Sequence, residues 1–277
     1  MVTVDRNQLH LEAAGATVLG VDAAWTLTHP SGVALVTQIS GGWRLVAWAP
    51  SYQQFLALAD HSLISQTRPV PSKPDPAALL RAATNLTRRA VDLIAVDMPL
   101  ARLPIVARRA SDDAVSRAYG ARHASTHTPS ATRLGVVSDE LRAGFERAGY
   151  PLQTDRIWGR GLIEVYPHPA LIELAAAPRR LPYKAAKVRS YWPDLSSLDR
   201  RGRLFAQWAE IVRLLDLKIA GVANALPVPD LVASGVALKA FEDVLDAIVC
   251  AWVGACALEG HARPFGCNSS APILLFI

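Results

Sequence analysis

Leu238-Lys-Ala-Phe-Glu-Asp-Val-Leu-Asp-Ala-Ile-Val-Cys-Ala-Trp-Val-Gly-Ala-Cys-Ala-Leu258 is the stretch that decides the fold. No proline interrupts it and its one glycine is Gly254, so about five turns of helix are predicted. From Ala247 to Leu258 every residue is apolar or small, the composition of a helix buried on all sides. The preceding half is amphipathic. Phe241, Val244, Leu245 and Ile248 mark its apolar side, while Lys239, Glu242, Asp243 and Asp246 recur at helical spacing and share one face. Asp243 and Asp246, one turn apart, repel each other. Close to a core they require a counter-charge, and a divalent metal ion is one candidate. Asp246 is the better candidate ligand, because the buried half begins at the next residue.

The partners of that helix are apolar strands. Thr17-Val-Leu-Gly-Val-Asp22 and Val91-Asp-Leu-Ile-Ala-Val-Asp97 both read as buried strands ending in aspartate. Gly32 to Ile39 and Trp43 to Trp48 are two β-rich runs separated by Ser40-Gly-Gly42, a hairpin signal. With the first strand they predict a three-stranded antiparallel meander. Gly161 to Tyr166 is a further strand, holding Glu164 and stopped by Pro167, and Pro272 to Ile277 is a last one. Helices are predicted over Tyr52–Ile64, Ala77–Arg89, Arg108–Tyr119, Ser138–Ala148, from about Pro169, and over Arg201–Leu217. Arg68 to Pro76 is a proline-rich loop, and Arg179 to Pro193 is basic and irregular. Strands alternating with helices after a meander define an α/β class with a mixed sheet, antiparallel first and parallel afterwards, flanked by helices. The expected organisation is an extension, residues 1–16, and one domain, residues 17–277, with helical insertions around 98–160 and 178–237.

Composition narrows the setting. A chain of 277 residues can bury a sizeable core, and its net charge of +5 permits an anionic partner without demanding one. The three cysteines, Cys250, Cys256 and Cys267, form no C-x-x-C pair, which suits reduced thiols. Met1 to Ala16 shows no signal-peptide pattern, and the apolar run 247–258 is too short to span a membrane. A cytoplasmic protein with no membrane partner is the expectation; the oligomeric state is not legible.

Strand-end carboxylates and a helix packed across the strands are expected to converge. Asp22, Asp97, Glu164, Asp243 and Asp246 are the candidate metal ligands, with Asp22, Asp97, Glu164 and Asp246 as the catalytic set. Such a cluster suits Mg²⁺ or Mn²⁺, which take oxygen donors, and two ions can bridge a scissile phosphate. Each aspartate alone commonly caps a turn. Glu164, inside an apolar strand, is harder to explain in this way, its ordinary alternative being to face solvent on an exposed sheet edge. Arg102, Arg133 and Lys184 are candidate substrate contacts, as are Arg108, Arg109 and Lys187. His168 is a candidate proton relay at the substrate. His123 and His127 lack companions at zinc spacing.

The order of these elements resembles the ribonuclease H-like fold, and Asp243-Val-Leu-Asp246-Ala-Ile is similar to the Asp-x-x-Asp-Ala-Leu helix of RuvC-type junction resolvases. More closely, Gly20-Val-Asp22, Val96-Asp-Met-Pro99, Ile163-Glu-Val-Tyr-Pro-His-Pro-Ala170, Leu181-Pro-Tyr-Lys184 and the run from Glu242 to Ala255 resemble domain-of-unknown-function family 429, regarded as predicted nucleases of that fold. The resemblance covers roughly residues 17–277. It implies a metal-dependent nuclease or phosphodiesterase acting on nucleic acid or a nucleotide. The chain departs from the family pattern at Ala23-Ala24-Trp25, where glycines are common, and at Gly266-Cys267-Asn268, where an aspartate is common. The competing functions are a non-catalytic member that binds nucleic acid or protein, and an ATP-binding phosphotransferase of the actin or sugar-kinase type. Against the latter, Asp22-Ala-Ala-Trp-Thr26 lacks the glycine of that phosphate turn. A catalytic site requires carboxylates of Asp22, Asp246 and Asp97 or Glu164 within reach of one ion.

Overall fold

The computed structural model describes residues 15–60, 68–126, 135–266 and 273–276. The chain opens with β1 (Thr17–Asp22), β2 (Gly32–Ile39) and β3 (Gly42–Ala49), followed by α1 (Tyr52–Ala59) and α2 (Pro76–Thr87). Next come β4 (Leu93–Asp97), α3 (Ala110–Tyr119), α4 (Gly135–Arg147), β5 (Gly161–Val165) and α5 (Pro167–Leu174). The last third holds α6 (Val188–Tyr191), α7 (Ser197–Asp216), β6 (Ile219–Ala220), α8 (Val222–Ala225), α9 (Gly235–Leu258), β7 (Ala262–Phe265) and β8 (Ile273–Phe276). The ends obey local chemistry. Ser51, Asp75, Ser196 and Ser234 cap α1, α2, α7 and α9 by accepting a backbone N–H, and Pro76 occupies the first turn of α2, where its missing N–H costs nothing.

These strands form one mixed sheet in the order β6-β3-β2-β1-β4-β5-β8-β7. β1, β2 and β3 are the predicted antiparallel meander, turned at Ser40-Gly41 with positive φ at Gly41 and Gly42, and β4, β5 and β8 then run parallel to β1. Period-two alternation splits the sheet into two faces. Val18, Ala34, Leu93, Ala95 and Ile163 join α5, α7 and α9 in one core layer, while Leu19, Val33, Leu35, Ile94, Val96 and Leu162 join α1, α2 and α4 in the other.

Several boundaries differ from expectation. α9 begins at Gly235, three residues before the predicted start, because Ser234 supplies the cap. α1 ends at Ala59; the rest of the stretch predicted to reach Ile64 lies, beyond Asp60, outside the described residues. The segment expected to insert helices between α5 and α9 also carries β6, which pairs with β3 at the sheet edge.

α9 lies directly against the sheet because glycines let it. A Cβ on Gly20 would stand 2.2 Å from the Ala247 carbonyl oxygen and 2.6 Å from the Ala251 nitrogen, both backbone atoms of α9. One on Gly32 would stand 2.1 Å from the Asp243 oxygen, and one on Gly254 would stand 2.6 Å from Val18 Cγ1. Backbone cannot swing aside as a flexible side chain can. Gly20→Ala is therefore expected to lower stability by about 1–3 kcal/mol, the cost of overpacking a dense core. Urea unfolding measures it, and an unchanged midpoint would mean that α9 does not sit this close.

Candidate metal centre

Asp22 and Asp97 are the last residues of β1 and β4, and the parallel register pairs them directly. Both follow the parity of Val18 and Ala95, so both project toward α9. The close approach at Gly20 and Gly32 sets the first half of α9 over these strand ends. Asp246 thereby joins them: ligand oxygens of Asp22, Asp97 and Asp246 all lie within 4.8 Å of one another. A divalent ion with oxygen bonds of about 2.1 Å spans some 4.2 Å between opposite ligands, so a small side-chain adjustment brings all three onto one ion. Asp246 is fully buried; Asp22 and Asp97 are partly open.

Negative charge is crowded here. Burial, then the neighbouring charges of Asp243, Asp246 and Asp97, pushes the Asp22 carboxyl well above its ordinary range. Burial and then Asp246 raise Asp97 to about 7, with Lys184 pulling the other way. Burial raises Asp243 too, against the ammonium of Lys239. A carboxylate set that resists ionisation in this way favours a bound cation. Two lysines supply part of the counter-charge. Lys184 Nζ bonds Asp246 Oδ2 and lies 3.4 Å from Glu242 Oε1, while Lys239 Nζ bonds Asp243 Oδ1 and lies 3.2 Å from Glu242 Oε1. The hydroxyl of Tyr183 donates to the other Asp246 oxygen at 2.7 Å. Asp243 thus borders the triad, tied to Lys239.

Glu164 goes elsewhere. Its partner in β4 is Val96, one residue short of Asp97, so it projects to the opposite sheet face. There the guanidinium of Arg109 donates to Oε2 at 2.6 Å and to Oε1 at 2.7 Å, and the Leu100 N–H donates to Oε2 at 2.7 Å. Arg109 also bonds both oxygens of Asp112 and the Leu100 carbonyl. All three charged groups are buried. Burial raises the Glu164 carboxyl and Arg109 lowers it, with burial prevailing. Glu164 and Arg109, candidates for metal and phosphate, are thus partners in a buried ionic clamp on the loop that follows Asp97.

The remaining candidates scatter. His168 is buried in α5, with its ring edge-on to Tyr166 and Tyr183 at 5.3 and 5.4 Å, and it is not among the residues lining the cleft beside Asp22. Arg102 is exposed, with one long bond of 3.4 Å to Thr154. Arg108 pairs with Asp113. Arg133 and His127 lie outside the described residues. Tyr183, Arg109 and Asp112 are the residues whose parts sequence reasoning missed. The signals were the dipeptide Tyr183-Lys184, and the Arg-x-x-Asp spacing at the head of α3, where Asp112 Oδ2 accepts the Arg109 N–H.

An open cleft beside the triad is lined by Asp22, Trp25, Thr26, His29, Lys239 and Asp243. Among the described residues no helix is long and apolar enough to cross a membrane.

The geometry defines a class: an α/β protein with a mixed sheet whose parallel strand ends and crossing helix gather an acidic triad able to hold a metal ion. The chain belongs to DUF429, a family described as proteins of unknown function, whose profile matches residues 20–269. No curated protein and no solved structure matches it.

Proposed function

We propose that this protein is a divalent-metal-dependent phosphodiesterase, a nuclease of ribonuclease H-like fold using Mg²⁺ or Mn²⁺ in the cytoplasm. One observation carries the proposal: three carboxylates from two strand ends and a helix lie within 4.8 Å of one another. Their donors are hard anionic oxygens, which fit Mg²⁺ or Mn²⁺ and not a soft metal. The meander continued by parallel strands, with a late helix across them, supports the fold assignment.

Asp22, Asp97 and Asp246 would hold the ion. When bound, it supplies a water of lowered pKa and positive charge for the scissile phosphate. The chain's own residues do the rest. The cleft walled by Trp25 and His29 admits the substrate beside Asp22. Lys239, half exposed at its mouth, presents an ammonium to a phosphate, and the ring of Trp25 offers a face for a base. Tyr183 and Lys184 fix the orientation of Asp246.

Cleavage of single- and double-stranded DNA and RNA and of small nucleotide diesters, assayed with Mn²⁺ and Mg²⁺, tests the proposal. Hydrolysis of at least one substrate is expected to require the metal and to disappear in Asp22→Asn. Activity that persists in EDTA or in Asp22→Asn would refute it, and so would inertness toward every substrate in a chain that binds the ion.

A further inference from the structure

We propose that the acidic centre accepts one divalent ion and that the ammonium of Lys184 is its second cation. The inference rests on reading the triad as a metal site and deepens it by fixing the number of ions. A two-ion centre needs a carboxylate bridging both ions, with free oxygen donors on each flank. Both oxygens of Asp246 are engaged: Oδ1 accepts the Tyr183 hydroxyl at 2.7 Å and Oδ2 accepts Lys184 Nζ. An ionised carboxylate has about four acceptor directions, so one remains on each oxygen, enough for a ligand bond to the triad's ion. The flank beyond Asp246 is filled by positive charge already. Glu242, the next acid there, is taken as well, with Oε1 3.4 Å from Lys184 Nζ and 3.2 Å from Lys239 Nζ, and Oε2 accepting the Ala185 N–H at 2.7 Å. Asp243, on the Asp22 side, is tied to Lys239. A second divalent ion on either flank would have to displace an ammonium.

Lys184 is also built into its place, unlike a mobile surface lysine. The Tyr183 carbonyl accepts the Trp208 indole N–H at 2.8 Å, and the next residue, Ala185, is bonded to α9 through Glu242. Tyr183 is fully buried, and Lys184 Nζ lies 4.9 Å from the centre of its ring, a cation–π contact. From this segment the ammonium and the neutral Tyr183 hydroxyl reach Asp246, and the ammonium alone carries charge. The segment Leu181-Pro-Tyr-Lys184 thus delivers one fixed positive charge to the cluster, as a second metal ion would.

Mn²⁺ titration of the full chain, followed by calorimetry and by the loss of free-ion paramagnetic resonance, tests this without reference to turnover. The wild type is expected to bind one Mn²⁺ per chain, with any further site about a hundredfold weaker because the ammonium repels it. Lys184→Met is expected to bind two, and Lys184→Arg and Tyr183→Phe one each. Two comparably tight ions in the wild type would overturn the inference while leaving the metal centre intact. A single ion in folded Lys184→Met would likewise overturn it, reducing Lys184 to an anchor. No ion in the wild type would remove the proposed function and this inference together. If Lys184→Met does not fold, the wild-type stoichiometry decides.

Discussion

Arg109→Met is expected to lose about 3–5 kcal/mol of stability, the cost of removing one partner from a buried ion pair. Arg109 joins Glu164 and Asp112 through paired bonds of 2.6–3.0 Å to their four oxygens, and all three side chains are nearly inaccessible. Methionine keeps the apolar stem and abandons two buried carboxylates and the Leu100 carbonyl. Burial already raises the Glu164 carboxyl even with the guanidinium beside it, so without it Glu164 is expected to take a proton. The loss should therefore shrink in acid, where a neutral carboxyl is ordinary. Arg109→Lys should recover only part, since a lysine has no planar fork to bind two carboxylates at once. Urea unfolding at pH 5 and pH 8 reads both effects. A loss under about 1 kcal/mol at pH 8 would place the clamp among the ion pairs that contribute little. Leu100 is held at both its N–H and its carbonyl by this clamp, and it lies three residues after Asp97. The variant should bind Mn²⁺ more weakly as well, although Arg109 sits on the sheet face away from α9.

That clamp also marks where sequence reasoning stopped. Asp22 and Asp97 were legible because each ends an apolar strand and so falls where a parallel sheet presents its strand ends. Asp246 was legible because an acid at the start of an all-apolar helical run has few ordinary explanations. Glu164 stood in the same light, an acid among Leu162, Ile163 and Val165. Yet β5 is buried on both faces, so its residues do not alternate between apolar and polar, and nothing in them shows toward which face Glu164 points. Register decides that, and register is a property of the pair. Arg109 was read with Arg108 as a candidate substrate contact, and only folding shows Arg108 partly outside and Arg109 inside. The short strands escaped for another reason. β6 has two residues, and β7 is a four-residue edge strand containing Pro264, too brief and too exposed for periodicity to register. α9 itself was read nearly to its ends, because its burial requires every residue of its second half to be apolar or small.

The second large effect is a gain. Metal-free Asp97→Asn is expected to be more stable than the wild type at pH 8 by a few kcal/mol, with the difference vanishing near pH 4. The sign follows from linkage. The Asp97 carboxyl is pushed from 3.8 in the unfolded chain to about 7 in the fold, by burial and by Asp246. Between those values the folded protein holds a proton that the unfolded chain has released, so stability falls as pH rises through this window. Below it both states are protonated and the penalty is absent; above it the penalty is complete. Asparagine never ionises, so the repulsion between Asp97 and its carboxylate neighbours is gone, and its amide brings two N–H donors to an acidic centre. The gain should be bought at the expense of metal. In the wild type Mn²⁺ at a hundred times its dissociation constant should add about 2.7 kcal/mol at pH 8, and in Asp97→Asn that increment should fall away with the lost ligand. Urea titrations at pH 4 and pH 8, with and without Mn²⁺, give all four quantities. A variant less stable than the wild type at pH 8 without metal would show that Asp97 is held by favourable contacts and not by the fold around it. An unchanged Mn²⁺ increment would remove Asp97 from the ligand set. Carboxylates that weaken the fold when empty and strengthen it when filled are the signature of residues placed for a cation and not for the core, and this pair of measurements separates the two.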